Sequence, residues 1–151
     1  MALPRGITGF WRVGEQQPPT SDVCAFRAHC YEAAGRVSYQ VVSVESAGLR
    51  NFAFATLHSP GERIAILLNA HFPGLAFAET PIVGEGLPRF LDHPILADSF
   101  REVGAYVVFS ASELERRPVP EDLAELSVAE RTQVAYWRPR RIGDVIFNHW
   151  D

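Results

Sequence analysis

Residues 52–79, FAFATLHSPGERIAILLNAHFPGLAFAE, predict three consecutive β-strands joined by two tight turns. Each turn contains a proline followed by a glycine, Pro60-Gly61 in the first and Pro73-Gly74 in the second. Proline presets the backbone at the second position of a type II turn, and glycine accepts the positive φ angle that the third position requires. We therefore interpret this stretch as an antiparallel meander around which the rest of the chain is organised.

The predicted register places His58 opposite Arg63 across the first turn and His71 opposite Ala76 across the second. Because side chains alternate along a strand, this register divides the meander into two faces. One face collects Phe52, Phe54, Thr56, Ala65, Leu67, Asn69, His71, Ala76 and Ala78. The other face collects Ala53, Ala55, Leu57, Ile64, Ile66, Leu68, Ala70, Leu75 and Phe77. Both faces are largely apolar, so we expect the strands to be central and covered on both sides.

Length and composition are those of one ordinary globular domain. The chain has 151 residues, of which 47% are hydrophobic and 21% are charged. A chain of this length can bury about two thirds of its unfolded surface in a single core without metals or disulfides. We therefore expect residues 1–151 to form a single α+β domain.

Charge and hydropathy argue against two classes of partner. All 14 basic residues are arginine, which favours a bacterial source with GC-rich coding, and the net charge of −4 argues against nucleic acid. No uninterrupted apolar run exceeds that of residues 64–68, which is too short to cross a membrane. Pro4, Arg5 and Gly6 stand where a secretory signal needs an apolar stretch, so a cytoplasmic location is predicted.

The segments before the meander predict one helix. Residues 21–34 carry apolar side chains at three- and four-residue spacing, and the helix is expected to begin at Thr20 or Ser21 and to end at Gly35. Two further strands are predicted, at residues 7–12 and at residues 37–45.

The segments after the meander are less regular. Residues 80–93 are interpreted as a long loop in which His93 is exposed, and residues 94–103 as one or two helical turns. Residues 104–110 predict another strand whose core comprises residues 106–109. The structure of residues 80–103 is the least determined by sequence.

The C-terminal part predicts helices. Ser127 and Glu130 have the spacing of a capping box at the start of a helix that Pro139 ends. A terminal helical stripe is expected from Ile142, Val145, Ile146, His149 and Trp150. The predicted fold is thus α+β: a mainly antiparallel sheet of five or six strands, a covering N-terminal helix and C-terminal helices.

No motif for catalysis, a cofactor or a metal is recognisable. The GEG at residues 84–86 lacks the third glycine and the strand-to-helix context of a dinucleotide-binding loop. His58 and His71 are expected roughly 25 Å apart, at about 3.3 Å per residue, and cannot share an ion. We therefore predict no cofactor and no metal site.

The best local candidate for a ligand site is on the first face of the meander. Asn69, His71 and Thr56 are expected near Ala76 and Ala78, whose small side chains leave room for a ligand that His71 could serve as acid, base or donor. The favoured alternative is structural. In it the alanines let a helix approach closely, and Asn69 satisfies backbone groups at a strand end.

An arginine cluster near the end of the chain is a second candidate. Arg138, Arg140 and Arg141 surround Pro139 and could bind a phosphate or an acidic partner. The favoured alternative is a solvated surface neutralised by acidic residues upstream, namely Glu121, Asp122, Glu125 and Glu130. The three tryptophans, Trp11, Trp137 and Trp150, are interpreted first as core or terminal anchors, although aromatic side chains beside arginine are also enriched at protein interfaces.

Three segments carry a resemblance to a known group. The opening ITGFW, the central LLNAHFPGLAFAE and the closing YWRPRRIGDVIFNHWD resemble small uncharacterised bacterial proteins that share this beginning, middle and end over nearly their whole length. The resemblance implies no established activity, so no catalytic residue follows from it. In size and lack of motifs the chain is also similar to immunity proteins that neutralise bacterial toxins, which is an analogy only.

These observations favour a non-enzymatic, cytoplasmic module that binds another protein. The alternative is a small-molecule enzyme that uses His71 in a pocket on the sheet face. A homodimer is slightly favoured, because two apolar sheet faces have few amphipathic helices to cover them.

Overall fold

The computed structural model describes residues 1–82 and 88–150. The GEG at residues 84–86 and the middle of the predicted loop at residues 80–93 lie outside the described residues. Six strands form one sheet: β1 (Gln40–Glu45), β2 (Phe52–Ser59), β3 (Glu62–Asn69), β4 (Gly74–Ala78), β5 (Phe90–Leu91) and β6 (Val107–Val108). Neighbours in the order β1-β2-β3-β4-β5 are antiparallel, whereas β6 pairs with β4 in parallel.

Helices cover both faces of this sheet, which confirms the predicted α+β fold. They are α1 (Val23–Arg36), α2 (Pro94–Val103), α3 (Ala111–Glu115), α4 (Pro120–Leu123), α5 (Val128–Trp137) and α6 (Ile142–Ile146). No helix within the described residues combines the length and the apolarity that crossing a bilayer requires, and the longest, α1, has 14 residues.

The first turn of the meander is confirmed and the register of the second is wrong. Gly61 has a φ angle of +82°, as the third position of a type II turn requires, and His58 pairs with Arg63. Ala76, however, pairs with Leu67, four positions before the predicted His71. Since four is even, the paired residues of β2, β3 and β4 stay on their predicted faces, whereas Ala70 and His71 lie outside the strands.

The wider second connection has a physical cause in the backbone around Asn69 and Ala70. The carbonyl oxygen of Ala70 accepts from the Ser21 backbone at 2.7 Å, and its N–H donates to the carbonyl oxygen of Asn51 at 2.8 Å. The Asn69 carbonyl oxygen accepts from the Ser21 hydroxyl at 2.9 Å. The Ala70 N–H thus extends the pairing with β2 by one bond, but Ser21 binds the carbonyl oxygens of Asn69 and Ala70, and β3 ends at Asn69.

The two faces of the meander bury two different sets of partners. Phe52, Phe54, Leu67 and their neighbours pack against the N-terminal segment and the C-terminal helices, through Leu3, Ile7, Leu114, Leu126, Ile142, Val145, Ile146 and Phe147. The opposite face packs against α1 and α2, through Phe26, Cys30, Ala33, Ala34, Leu96, Ala97 and Phe100. The sheet is thus the middle layer of three.

Helix α1 begins and ends later than predicted. Its N-cap is Asp22, whose carboxylate accepts from the Ala25 backbone at 3.0 Å, rather than Thr20 or Ser21. The helix passes through Gly35 and ends at Arg36, because Ser38 rather than the glycine takes a left-handed conformation, with φ at +62°.

The predicted strand at residues 7–12 is wrong. This segment forms turns, and Gly6 and Gly9 have φ angles of +94° and +85°, which a strand does not allow. The backbone N–H groups of Gly6 and Thr8 donate to the buried carboxylate of Glu130 rather than to a strand.

Residues 93–110 are more helical and less extended than predicted. Helix α2 has ten residues, and His93 is its N-cap rather than an exposed loop residue, since its Nδ1 accepts from the Leu96 backbone at 3.2 Å. Its side chain is only 11% exposed. Of the predicted strand at residues 104–110, only Val107–Val108 pairs, and Val107 is exposed rather than buried.

The capping box of Ser127 and Glu130 is confirmed at the start of α5. The terminal helix is shorter than predicted, because α6 ends at Ile146. The Asn148 backbone N–H donates to the side chain of Asn51 at 2.6 Å, so the chain leaves the helix and Trp150 lies outside it.

Candidate functional site

Asn69 is fully buried at the end of β3, where it joins segments from both ends of the chain. Its amide nitrogen donates to the carbonyl oxygens of Ile7 at 2.9 Å and Ile146 at 2.6 Å, and its oxygen accepts from the His71 backbone at 2.8 Å. Both donor hydrogens of the side chain are therefore used within the fold. Asn69 thus satisfies backbone groups at the end of a strand, as the structural alternative to a ligand site predicted.

His71 lies in the connection between β3 and β4, and its ring has a fixed orientation. Its Nδ1 is 2.8 Å from the carbonyl oxygen of Pro19. A carbonyl oxygen can only accept, so Nδ1 carries the proton and Nε2 of the neutral ring is an acceptor. The ring also packs beside Gly9, where a β-carbon would lie 3.3 Å from Nε2.

A cleft of about 310 Å³ opens beside His71, between this connection and helix α1. On its other wall, Nδ1 of His29 and the hydroxyl of Tyr106 are 2.6 Å apart, and the two rings meet edge to face. Burial raises the pKa of the Tyr106 phenol to about 12, with smaller contributions from the nearby Cys30 and Asp22. The phenol is therefore neutral at physiological pH.

The structure does not bring Thr56, Asn69 and His71 together. Asn69 pairs with Phe52 at one end of β2, whereas Thr56 pairs with Ala65 further along the strand. Thr56 lines a different cleft, of about 480 Å³, together with Ser43, Phe54, Arg63 and Pro81 among others. The three candidate ligand residues thus occupy a buried network and two separate clefts.

The predicted arginine cluster divides into one internal and two external side chains. Arg141 donates to Asp144 at 2.6 Å and to Glu115 at 2.8 Å, and its guanidinium lies 5.0 Å from the ring centre of Phe90. Arg138 and Arg140 are exposed, and neither belongs to an ion pair between described residues.

Two of the four acidic residues expected to neutralise the cluster, Asp122 and Glu130, have other partners. Asp122 binds the guanidinium of Arg116 through both carboxylate oxygens, at 3.0 and 2.8 Å. Glu130 is fully buried and accepts from the backbone of Gly6 and from the hydroxyl of Thr8. Neither carboxylate neutralises Arg138 or Arg140.

Four aromatic side chains form a row that we call the aromatic surface: Phe10, Trp150, Trp137 and Tyr136. Phe10 and Trp137 each lie 6.2 Å from the ring centre of Trp150, and the two indoles are parallel within 4°. Tyr136 meets Trp137 edge to face at 5.3 Å. The exposed fractions are 75% for Tyr136 and 39% for Trp137, so the row reaches solvent at this end.

No family model, no curated protein and no solved structure matches the chain. Among residues 1–82 and 88–150, no three His, Cys, Asp or Glu side chains are grouped so that they could hold a metal ion.

Sequence reasoning missed two of these arrangements. His29 and Tyr106 are 77 positions apart, and no local pattern links them. Phe10 and Trp150 come from opposite ends of the described chain. The local signal for the aromatic surface was the run of Tyr136, Trp137 and Arg138, which places two aromatic residues beside a cation at the end of a helix.

Proposed function

We propose that this protein is a bacterial, cytoplasmic binding module that recognises an acidic protein partner through the aromatic surface. A role like that of immunity proteins, which bind and neutralise a toxin, is one form of this proposal. The observation that carries it is the parallel pair of Trp137 and Trp150, which is partly exposed between Phe10 and Tyr136.

The aromatic surface has the composition of an interface. Tyrosine, tryptophan and arginine are enriched where proteins bind one another, and they dominate the residues whose truncation costs most affinity. Large rings held in place by stacking lose little conformational entropy on binding. Tyr136 and Trp137 expose their rings on the same helix end, and packing against Trp150 and Phe10 holds the row together.

The charge beside this surface favours an acidic partner. Arg138 and Arg140 follow Trp137, Arg12 follows Trp11, and all three arginines are exposed. No ion pair between described residues includes these three arginines. Unpaired cations at the rim of an interface steer an acidic partner and select against a basic one.

The test is purification of the partner followed by a measurement of affinity. Wild-type protein, Tyr136→Ala and Trp137→Ala are used to capture partners from native cell extract, and each captured protein is then produced separately and titrated. We expect a stoichiometric acidic partner whose affinity falls about tenfold or more in either variant, as is usual for central interface aromatics.

Tyr31→Ala is the matched control, because Tyr31 is 57% exposed on the outer side of α1. Its affinity for the same partner should equal that of wild type. A partner that binds all three variants equally would refute the role of the aromatic surface. Light scattering on the purified protein reports whether a second copy of this chain is the partner.

A second candidate function, a small-molecule enzyme that uses His71, is favoured by one observation. The carbonyl oxygen of Pro19 orients the ring and leaves Nε2 as an acceptor, which is the arrangement that a general base needs. A screen of hydrolase and transferase substrates on wild type and His71→Gln tests it. Turnover that only the wild type shows would replace the binding proposal.

A further inference from the structure

The cleft beside His71 combines aromatic walls with one acidic side chain. Its aromatic lining consists of His29, His71, Phe72 and Tyr106, and Asp22 is the one Asp, Glu or Arg among the described residues that line it. Small-molecule sites usually have volumes of about 300–1,000 Å³, so a cleft of about 310 Å³ fits a small ligand.

The field inside the cleft comes from Asp22. Its Oδ1 accepts from the Ala25 backbone at 3.0 Å, and no hydrogen bond between described residues uses the second oxygen. Asp22 and Tyr106 line the same cleft. Burial is the main cause of the raised pKa of Tyr106, and the charge of Asp22 adds a smaller contribution. The positive end of the α1 dipole lies beside the same carboxylate and weakens this field, which sets a modest preference for positive charge.

We propose that this cleft binds a small organic cation, an ammonium group carried on an apolar body. Phe72 and Tyr106 contribute aromatic rings to the lining, and such rings attract an ammonium group, while Asp22 supplies the opposite charge. Leu68 and Pro73 provide apolar contact for the body of the ligand. The site uses none of the four residues of the aromatic surface, so the inference is independent of the proposed function.

Three probes that share one skeleton and differ in charge test the proposal: phenethylammonium, 2-phenylethanol and phenylacetate. Each is titrated into the full chain at a pH above the ordinary pKa of histidine, with binding followed by backbone amide NMR shifts. We expect the cation to bind about three- to thirtyfold more tightly than the alcohol, the range for cations on aromatic faces, and phenylacetate to bind most weakly. The shifts should centre on Leu68, Phe72 and Tyr106.

Two variants separate the site from the general charge of the protein. Asp22→Asn keeps a helix-capping side chain but removes the charge, so the preference for the cation over the alcohol should fall severalfold, to the part that the aromatic rings alone supply. Asp98→Asn makes the same change on α2, where the side chain is 74% exposed, and should leave the preference unchanged. Equal binding of the three probes, shifts centred elsewhere, or a preference as large in Asp22→Asn as in wild type would overturn the proposal.

Discussion

Asn51 and Asn69 donate hydrogen bonds to the same two carbonyl oxygens, those of Ile7 and Ile146. The four distances lie between 2.6 and 3.1 Å, and both asparagines are buried. Two carbonyl groups from distant parts of the chain are thereby satisfied inside the protein, where leaving them unpaired would be costly. Through these hydrogen bonds the two asparagines, which we call the asparagine joint, link the N-terminal segment and helix α6 to the sheet.

Asn69→Ala should lower the free energy of unfolding by about 3 kcal/mol, because it leaves buried carbonyl groups with fewer donors and opens a small cavity. Urea denaturation of the variant and wild type measures this difference. Thr56→Val is the control, since Thr56 lines an open cleft, and it should change stability by less than about 1 kcal/mol. An unchanged midpoint for Asn69→Ala would show that the network contributes nothing to stability.

Glu130→Gln should destabilise the protein by about 2–3 kcal/mol although the side chain keeps its shape. The carboxylate accepts from the backbone N–H groups of Gly6, Thr8 and Ser127 and from the Thr8 hydroxyl, at 2.6 to 3.1 Å. An amide would turn a donor toward these donors. Thermal or chemical denaturation measures this loss of stability. Glu125→Gln, at an exposed position, is the control, and equal stability of the two variants would contradict the prediction.

Trp150→Ala should cost about 2 kcal/mol, less than the roughly 3 kcal/mol that a fully buried aromatic anchor in a terminal helix would give. The indole lies outside α6 and is half-buried against Trp137 and Phe10. The denaturation midpoint reports this change, and binding of the partner should weaken as well. A midpoint equal to that of wild type would mean that the indole serves recognition alone.

Stability should fall as the pH drops from about 4 to about 2, because of Asp122. The hydrogen bonds from Arg116, followed by the one from the Val119 backbone, lower the pKa of this carboxyl from 3.8 to about 2. A carboxyl group whose pKa is lower in the folded state than in the unfolded state stabilises the protein at any pH above the unfolded-state pKa. This contribution is lost as the pH falls through the folded-state pKa. Unfolding free energies measured across this window should be flatter for Asp122→Asn, and an equal slope would exclude this carboxyl as the cause.

The meander could be predicted because its signals are local. Pro60-Gly61 determines a turn of known geometry, and alternation assigns the strand side chains to faces that the observed shift of four residues leaves unchanged. The second turn could not be predicted, because the backbone of Ala70 bonds to Ser21 and Asn51, which are distant in sequence. A turn motif such as Pro73-Gly74 indicates which backbone conformation is allowed. Tertiary hydrogen bonds determine whether the chain adopts it.

The same limit applies to the candidate sites. Arg138, Arg140 and Arg141 are equivalent in sequence, yet Phe90 and Asp144 draw Arg141 inward and leave the other two in solvent. The residues that line the cleft beside His71 come from α1 and the segment before it, from β3 and the connection after it, and from the segment before β6. Their proximity follows from the sheet order, which residue spacing alone does not reveal.

The asparagine joint also sets an order of events during synthesis. Thr8 and Asn148, which share a hydrogen bond, are 140 positions apart, so a ribosome adding about 5–20 residues per second needs roughly 7–28 s between them. Until residues 146–148 emerge, the N-terminal segment cannot complete its hydrogen bonds with the C-terminal part of the chain. The apolar face around Phe52 and Leu67 stays partly uncovered from its own synthesis until helix α6 emerges, and a chaperone can compete for it during that time.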